Sequence, residues 1–380
     1  MRILSVTGPL HREFGGPPVA ATGISTNLAN LGNHVVVLIC GQTREDIDIN
    51  STFFEKIKGS GAEIRILMRG KISRFGTFIR ISEIRNLSKI IRNSDVIILH
   101  QIFQFQFVSI VPILIFFNKP YIVMPHGTLT TYQRKQHSIR KSFFFLFTYT
   151  FLKFASAIFV AHKQEKIQLP TYLKAKAFEV GLGIDLPTDI NRIPKHVNKS
   201  FQLLYLGRIT KKKRLEIALE AFALAAEKTK IETRFIVCGS GEESEVQALK
   251  ELAKKLKIDA RVEFRGWVDS SEKAQVLAES DCFILTSEDE NFAIATAEAL
   301  AHGIPCILSS KVALAALVEE FDAGIILKHM EINEVCEAII RISLSGGENY
   351  RKSAYEAAME ISWESVSKKW EKCLKVIVGF

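Results

Sequence analysis

Residues 202–226 read Gln-Leu-Leu-Tyr-Leu-Gly-Arg-Ile-Thr-Lys-Lys-Lys-Arg-Leu-Glu-Ile-Ala-Leu-Glu-Ala-Phe-Ala-Leu-Ala-Ala. A short apolar run, Gln202–Leu206, stops at Gly207. A basic loop follows, and from Leu215 to Ala226 apolar residues recur at helical spacing. This is the repeating unit of a parallel sheet, in which each strand is buried on both faces and a helix covers it before the next strand begins. The alternation continues on either side. Downstream come apolar runs at Arg234–Val237, Val262–Phe264, Cys282–Leu285 and Pro305–Leu308; upstream lie Arg2–Val6, Val35–Cys40, Val96–Leu99, Tyr121–Met124 and Ala157–Val160. Two such series imply an α/β protein of two Rossmann-like, doubly wound domains.

The length agrees. At 380 residues the chain exceeds the roughly 250–300 at which single cores stop growing. The boundary is expected in the polar stretch Asp185–Ser200, where Pro187 and Pro194 break any helix. That gives domains at 1–188 and 189–360. Sheets of this kind bind ligands at the carboxyl ends of their strands, so a cleft between the facing domains is the expected site.

Composition is that of an ordinary globular protein, 47% hydrophobic and 24% charged. The start, Met1-Arg-Ile-Leu-Ser-Val-Thr, reads as no signal peptide. The apolar runs Phe107–Phe117 and Phe143–Phe151 fall short of the about 20 residues that span a bilayer. Six scattered cysteines form no Cys-x-x-Cys pair, which argues against a zinc site or disulfide framework and for a reducing cytoplasm. The net charge of +9 is uneven: residues 1–190 hold 23 Lys+Arg against 12 Asp+Glu, a balance of +11, and the rest holds 27 against 29, or −2. An excess confined to one half suits an anionic partner for that half, as well as a merely soluble basic surface.

Two loops can carry chemistry. Gly207-Arg208-Ile-Thr-Lys-Lys-Lys213-Arg214 joins a strand to a helix N-terminus, a natural anion site, and its cations would neutralise a diphosphate as it leaves. Ser287-Glu-Asp-Glu290-Asn-Phe-Ala-Ile-Ala-Thr-Ala-Glu298 follows the strand Cys282–Leu285. Glu290 is expected in the strand-to-helix loop and Glu298 about two turns into the helix beginning near Ile294, so that both carboxylates face one ligand and accept from sugar or ribose hydroxyls. Taken singly, four adjacent cations read as a solvated turn and two glutamates as surface acids.

The ordered set says more. Gly-Arg-x-x-x-x-Lys after one strand and Glu-x7-Glu after another resembles glycosyltransferase family 4. So do Phe14-Gly15-Gly16-Pro17-Pro18 after the first strand, Pro125-His126-Gly127, Cys238-Gly239-Ser240-Gly241-Glu242, Phe264-Arg265-Gly266 and Ala301-His-Gly303-Ile-Pro305. The likeness runs over residues 1–375, and it implies the GT-B fold, with a last helix near Trp363–Val378 that carries residues 361–380 back onto the first domain. Arg208 and Lys213 would bind the donor diphosphate, Glu290 the sugar and Glu298 the ribose. The amides of Phe292, Ala293 and Ile294 would approach sugar and phosphate, with Gly239 and Asn291 in the same donor set. Gly15 and Gly16 would bring backbone N–H groups to the phosphate, and His126 would sit beside the reacting centre; His126, Glu290, Arg208 and Lys213 form the catalytic set.

The implied activity is transfer of a sugar from a UDP- or GDP-sugar, with retention, to a saccharide or lipid-linked saccharide in cell-surface polysaccharide or lipopolysaccharide synthesis. No metal and no cofactor beyond the nucleotide-sugar co-substrate are implied, and the leaving phosphate oxygen would take the acceptor proton. Three departures stand out: Arg214 and Ala293 occupy positions where the family commonly has glycine, and Gly181-Leu-Gly-Ile-Asp185 replaces Pro-Asn-Gly before the linker. An epimerase-like sugar-nucleotide enzyme and an inactive nucleotide-sugar-binding partner are the rival readings. Asp46-Ile47-Asp48 has the form of the Asp-x-Asp metal site of the other major glycosyltransferase fold but sits in a polar stretch after the second strand, and His100, His126 and His137 make no ligand cluster.

The +11 half also carries a basic amphipathic stretch, Arg65, Arg69, Lys71, Arg74, Arg80, Arg85, Lys89 and Arg92, and a second cluster, Arg134, Lys135, Arg140 and Lys141, before a Phe-rich run. Cations among aromatics and aliphatics suit peripheral contact with the inner face of an anionic membrane. No nucleic-acid motif accompanies them, and no nucleic-acid partner is expected.

Overall fold

The computed structural model describes residues 1–11, 14–49, 51–71, 73, 75–131, 148–187, 200–229, 232–345 and 347–379. The Arg134–Lys141 basic cluster, Arg74, His137, Phe143 to Phe147 and most of the linker stretch lie outside them. The chain divides into two compact units, Met1–Gly183 with Trp363–Phe380, and Ile184–Ser362.

The first unit is built on β1 (Arg2–Thr7), β2 (His34–Gln42), β3 (Glu63–Met68), β4 (Val96–His100), β5 (Tyr121–Met124), β6 (Ala157–Val160) and β7 (Ala177–Glu179), in the order β3-β2-β1-β4-β5-β6-β7. Neighbouring strands are parallel throughout. Its helices include α1 (Gly16–Asn30), α2 (Arg44–Ile49), α3 (Ser51–Gly59), α4 (Ile81–Asn93), α5 (Phe105–Phe116), α6 (Lys163–Gln168) and α7 (Thr171–Lys174). Central strands are sealed on both faces, which is why they read as unbroken apolar runs. On one face Leu4, Leu38, Leu99 and Val123 pack with Leu87 and Ile91 of α4 and Ile110 and Leu114 of α5.

The second unit repeats the scheme with β8 (Phe201–Leu206), β9 (Thr233–Cys238), β10 (Val262–Gly266), β11 (Cys282–Leu285), β12 (Cys306–Ser309) and β13 (Gly324–Leu327), in the order β10-β9-β8-β11-β12-β13. All pairs are again parallel. Around the sheet lie α8 (Leu215–Lys228), α9 (Glu243–Lys255), α10 (Ser270–Glu279), α11 (Ile294–Ala301), α12 (Ala315–Glu320), α13 (Ile332–Ser345) and α14 (Glu348–Glu360). Beneath the sheet, Arg351 of α14 reaches the buried Asp281 at 3.0 Å, whose other oxygen accepts the Gln202 N–H at 2.8 Å, so one carboxylate ties α14 to the starts of β8 and β11.

In each sheet the strand order reverses beside the first strand, between β1 and β4 and between β8 and β11. Loops leaving the carboxyl ends of these neighbours lie side by side, which makes the reversal the natural ligand position. The chain ends with α15 (Trp363–Val378), which packs on α1 within the first unit. Trp363 fills the space above two glycines: a Cβ added at Gly23 or Gly183 would collide with its ring. Trp370 stacks edge-on against Phe159 and donates its indole N–H to the Gly181 carbonyl at 3.0 Å.

Candidate functional site

In the second unit the reversal joins the two loops singled out in the sequence. After β8 the chain passes Gly207 and Arg208, makes one 3-10 turn at Lys211–Lys213 and enters α8. After β11 it runs from Thr286 to Glu290 and enters α11. The loops are stitched together: Thr286 Oγ1 donates to the carbonyls of Lys213 and Arg214 at 3.1 and 3.0 Å, and Glu288 N donates to Lys212 O at 2.9 Å. The result brings Lys213 Nζ to 2.6 Å from Glu290 Oε1, which also accepts from Ser287 Oγ at 3.0 Å. Lys212 pairs with Asp289 at 3.0 Å. Tyr205, buried at the end of β8, donates its hydroxyl to the Arg208 carbonyl at 2.8 Å. Burial, with the Glu290 charge behind it, pushes the Tyr205 phenol up, so it stays a donor. Arg208 is exposed on this loop. Cations and carboxylates thus alternate at one strand-end edge, able to bind a diphosphate and paired hydroxyls.

Other expected residues sit nearby. Asn291 is half-buried, Phe292 is buried, and Ala293 caps α11 in the left-handed conformation, φ 60°. Glu298 lies on α11, but not at the expected depth. The helix starts at Ile294, as the sequence led us to expect, but Glu298 is only its fifth residue, ~6 Å and little more than one turn along rather than two. Its carboxylate pairs with Lys273 of α10. Gly239 owes its glycine to packing: any Cβ there would strike the Gly207 carbonyl, and its N–H donates to Gly266 O at 2.6 Å. Arg214 also takes the left-handed conformation, φ 49°, and bonds Glu216 at 2.5 Å and Glu288 at 2.9 Å. The two positions where the resembled pattern has glycine are therefore left-handed backbone, which glycine adopts without cost and other residues do not.

In the first unit Gly15 precedes α1 with φ 74°, and Pro17 follows inside the first turn. His126 stands after β5 with φ 52°, next to Gly127 at φ 78°. The buried Glu165 fixes this turn, accepting the Gly127 N–H at 2.7 Å and the Ala161 N–H at 2.8 Å. His126 Nε2 lies 3.1 Å from His100 Nδ1. Burial lowers the His126 pKa to about 4, and burial followed by the neighbouring His126 holds His100 well below the usual histidine range. Asp46 belongs to the start of α2, where it bonds Thr43 and lies 3.5 Å from His11.

The basic stretch is not one amphipathic element. Arg65 is on β3 and pairs with Glu63. Arg69 is a structural clamp, 2.9 and 3.0 Å from the two oxygens of Glu83 and 2.8 Å from Thr77 Oγ1. Arg92 lies over the Phe117 ring at 4.5 Å. What faces outward is a patch around the start of α4: Phe75, Phe78, Ile81 and Ile84 are exposed, Ile81 by 88%, with Arg80, Arg85 and Lys89 beside them.

Comparison with known proteins places the second unit. Residues 188–360 match the family model described as "Glycosyl transferases group 1". The whole chain has the GT-B architecture: it superposes on the crystal structure of Anabaena Alr3699/HepE in complex with UDP and glucose with a TM-score of 0.77, covering 99% of this chain and 100% of that one at 16% identity. Among curated sequences it is 29% identical over 160 residues to the N-acetyl-alpha-D-glucosaminyl L-malate synthase of Bacillus anthracis, 40% of each chain. It is 30% identical over 161 residues to the alpha-monoglucosyldiacylglycerol synthase of Streptococcus pneumoniae, 42% of this chain and 36% of that one. The matched stretch thus spans about two fifths of these relatives. Arg208, Lys213, Glu290 and Glu298 all fall within the residues that match the group 1 model. Tyr205, Ser287 and Lys273, which bond Arg208, Glu290 and Glu298, do so as well, and the sequence reading missed all three. Tyr205 carried a weak signal, a hydroxyl-bearing ring next to the loop; Lys273 carried none.

Proposed function

We propose that the protein is a retaining glycosyltransferase that moves a sugar from a nucleotide-diphosphate sugar to a saccharide or lipid-linked saccharide, in cell-surface polysaccharide synthesis and without a metal. The observation that carries this is the meeting of Lys213 and Glu290 at 2.6 Å at the reversal of a group 1 domain, with Arg208 on the same loop. A diphosphate arriving there competes with Glu290 for the Lys213 ammonium. Lys213 and Arg208 then neutralise the phosphates, and Glu290 turns to the sugar hydroxyls. Neutralising the leaving group as its bond to the sugar breaks lowers the barrier most, since the charge develops in the transition state. The leaving phosphate oxygen takes the acceptor proton. Glu298 would serve the ribose, exchanging its Lys273 contact for the two hydroxyls. UDP and glucose in the Anabaena structure favour a nucleotide sugar as donor, and the relative named as a diacylglycerol glucoside synthase favours a lipid-linked acceptor.

A thermal-shift screen of the full chain against UDP-, GDP- and ADP-sugars ranks donors, since a ligand bound to the native state raises the melting temperature by mass action. With the best donor, Lys213→Ala and Arg208→Ala should each lower turnover on the order of 10²-fold. Near-wild-type turnover in both overturns the diphosphate assignment. Sugar conversion without an acceptor would instead indicate an epimerase.

A further inference from the structure

His126 does not stand alone. His100 Nδ1 lies 3.1 Å from His126 Nε2; His100 Nε2 lies 3.1 Å from Ser5 Oγ; and Ser25 Oγ donates to Ser5 Oγ at 2.8 Å. Ser25 is on α1, Ser5 on β1, His100 at the end of β4 and His126 after β5, so four elements of one unit meet in a line. Ser5 and Ser25 are 0% exposed and His100 2%, while His126 is half-buried at the open end.

We propose that Ser25, Ser5 and His100 form a hydrogen-bonded relay that fixes His126 as its Nδ1–H tautomer, so that it meets substrate as a hydrogen-bond donor. The direction follows from counting protons. A hydroxyl has one proton to give, and a neutral imidazole has one N–H and one acceptor nitrogen. Ser5 already accepts from Ser25, and among the described residues its own proton finds its acceptor at His100 Nε2. The proton of His100 is then on Nδ1, where it bonds His126 Nε2. That nitrogen is an acceptor, so the proton of His126 is on Nδ1. With Ser25 donating, turning the histidines alone round would leave the buried Ser5 proton unmatched, and turning the whole line round would leave the Ser25 proton without an acceptor among the described residues, in either case at a cost of about 1–3 kcal/mol. Neither imidazole takes up a second proton near neutrality, because burial disfavours the charged ring. Among the described residues no group bonds His126 Nδ1, and the Glu165 clamp on Gly127 holds the turn that aims the ring. Nδ1–H is therefore available to a substrate oxygen, a sugar hydroxyl or a phosphate.

The consequence for turnover rests on the glycosyltransferase reading; the tautomer does not. Long-range 15N–1H spectra of the full chain labelled at histidine, assigned with His100→Asn and His126→Asn, should show both rings protonated at Nδ1 and bare at Nε2. His126 protonated at Nε2, or averaged between tautomers, overturns the proposal, and the wild-type spectrum alone decides this if a variant fails to fold. In Ser5→Ala the tautomers should average and kcat should fall about tenfold, the scale for losing a partner that orients a histidine, with donor KM little changed. Ser5→Thr should restore both. Unchanged tautomers and kcat in Ser5→Ala refute the relay. A protein that shows the tautomers but turns over no donor keeps the relay and loses the transferase reading.

Discussion

Two of the non-glycine residues in left-handed backbone lie beside the candidate donor site. Arg214 and Ala293 are left-handed, at φ 49° and 60°, and each opens a helix beside the Lys213–Glu290 pair. The positions were legible as departures from a glycine pattern; the reason was not, because a sequence does not show φ. The left-handed region costs a non-glycine residue about 1–2 kcal/mol, less what glycine loses through its freer unfolded chain. Ala293→Gly should therefore stabilise the protein by about 0.5–1 kcal/mol, read as a higher denaturant midpoint at unchanged slope. A fall in stability would show that the Ala293 methyl does packing that outweighs the strain. Arg214→Gly is a poorer test. It also removes pairs with Glu216 and Glu288 whose side chains are 36–40% exposed, worth about 0–1 kcal/mol each, and gain and loss should nearly cancel. Glu290 was placed correctly in its loop because β11 was plain in the sequence. Glu298 was placed a turn too deep although the helix start at Ile294 was read correctly, because the eight-residue spacing from Glu290 counts loop residues that add no helical turn. The histidine relay was illegible, its members spread from Ser5 to His126 with no short motif joining them.

At the scale of elements, the strands that were legible are, β10 apart, the ones buried along most of their length. The three that escaped, β3, β7 and β13, are edge strands. β3 is half-buried along its length and β7 has three residues, so neither writes an unbroken apolar run. Gly23 and Gly183 are similarly silent: one sits mid-helix and the other in a loop, and only the structure shows both lying under Trp363 of α15. That ring is 7% exposed and joins α15 to α1 and to the segment after β7. Trp363→Ala should cost about 3–5 kcal/mol by leaving a cavity that two glycines cannot fill. The loss should be local. Hydrogen exchange should speed up in β1, α1 and α15 while β8 to β13 keep their protection. Equal loss in both sheets would mean that the two units unfold as one.

At the scale of the molecule the charge is lopsided. The first 190 residues carry a balance of +11 and the rest −2. Sequence counting showed this, but it could not tell working cations from surface ones. Arg69 is consumed by Glu83, and Arg65 by Glu63. Phe75, Phe78, Ile81 and Ile84 stand exposed among Arg80, Arg85 and Lys89, and no helix among the described residues is long and apolar enough to cross a membrane. We propose that this patch rests on an anionic bilayer surface, the apolar side chains entering the headgroup layer while each cation adds about 1 kcal/mol. The full chain should then co-sediment with vesicles containing phosphatidylglycerol at low salt. It should release at high salt, because screening cuts the attraction to within about 10 Å at 0.1 M. Neutral vesicles should bind little. A variant carrying Phe78→Ser, Ile81→Ser and Arg85→Glu should stay in solution while giving the same donor thermal shift, since none of these residues lies in the second unit that carries Arg208, Lys213 and Glu290. Wild-type protein that ignores anionic vesicles at low salt removes the membrane from the reading, and a variant that still sediments moves the contact elsewhere on the basic half.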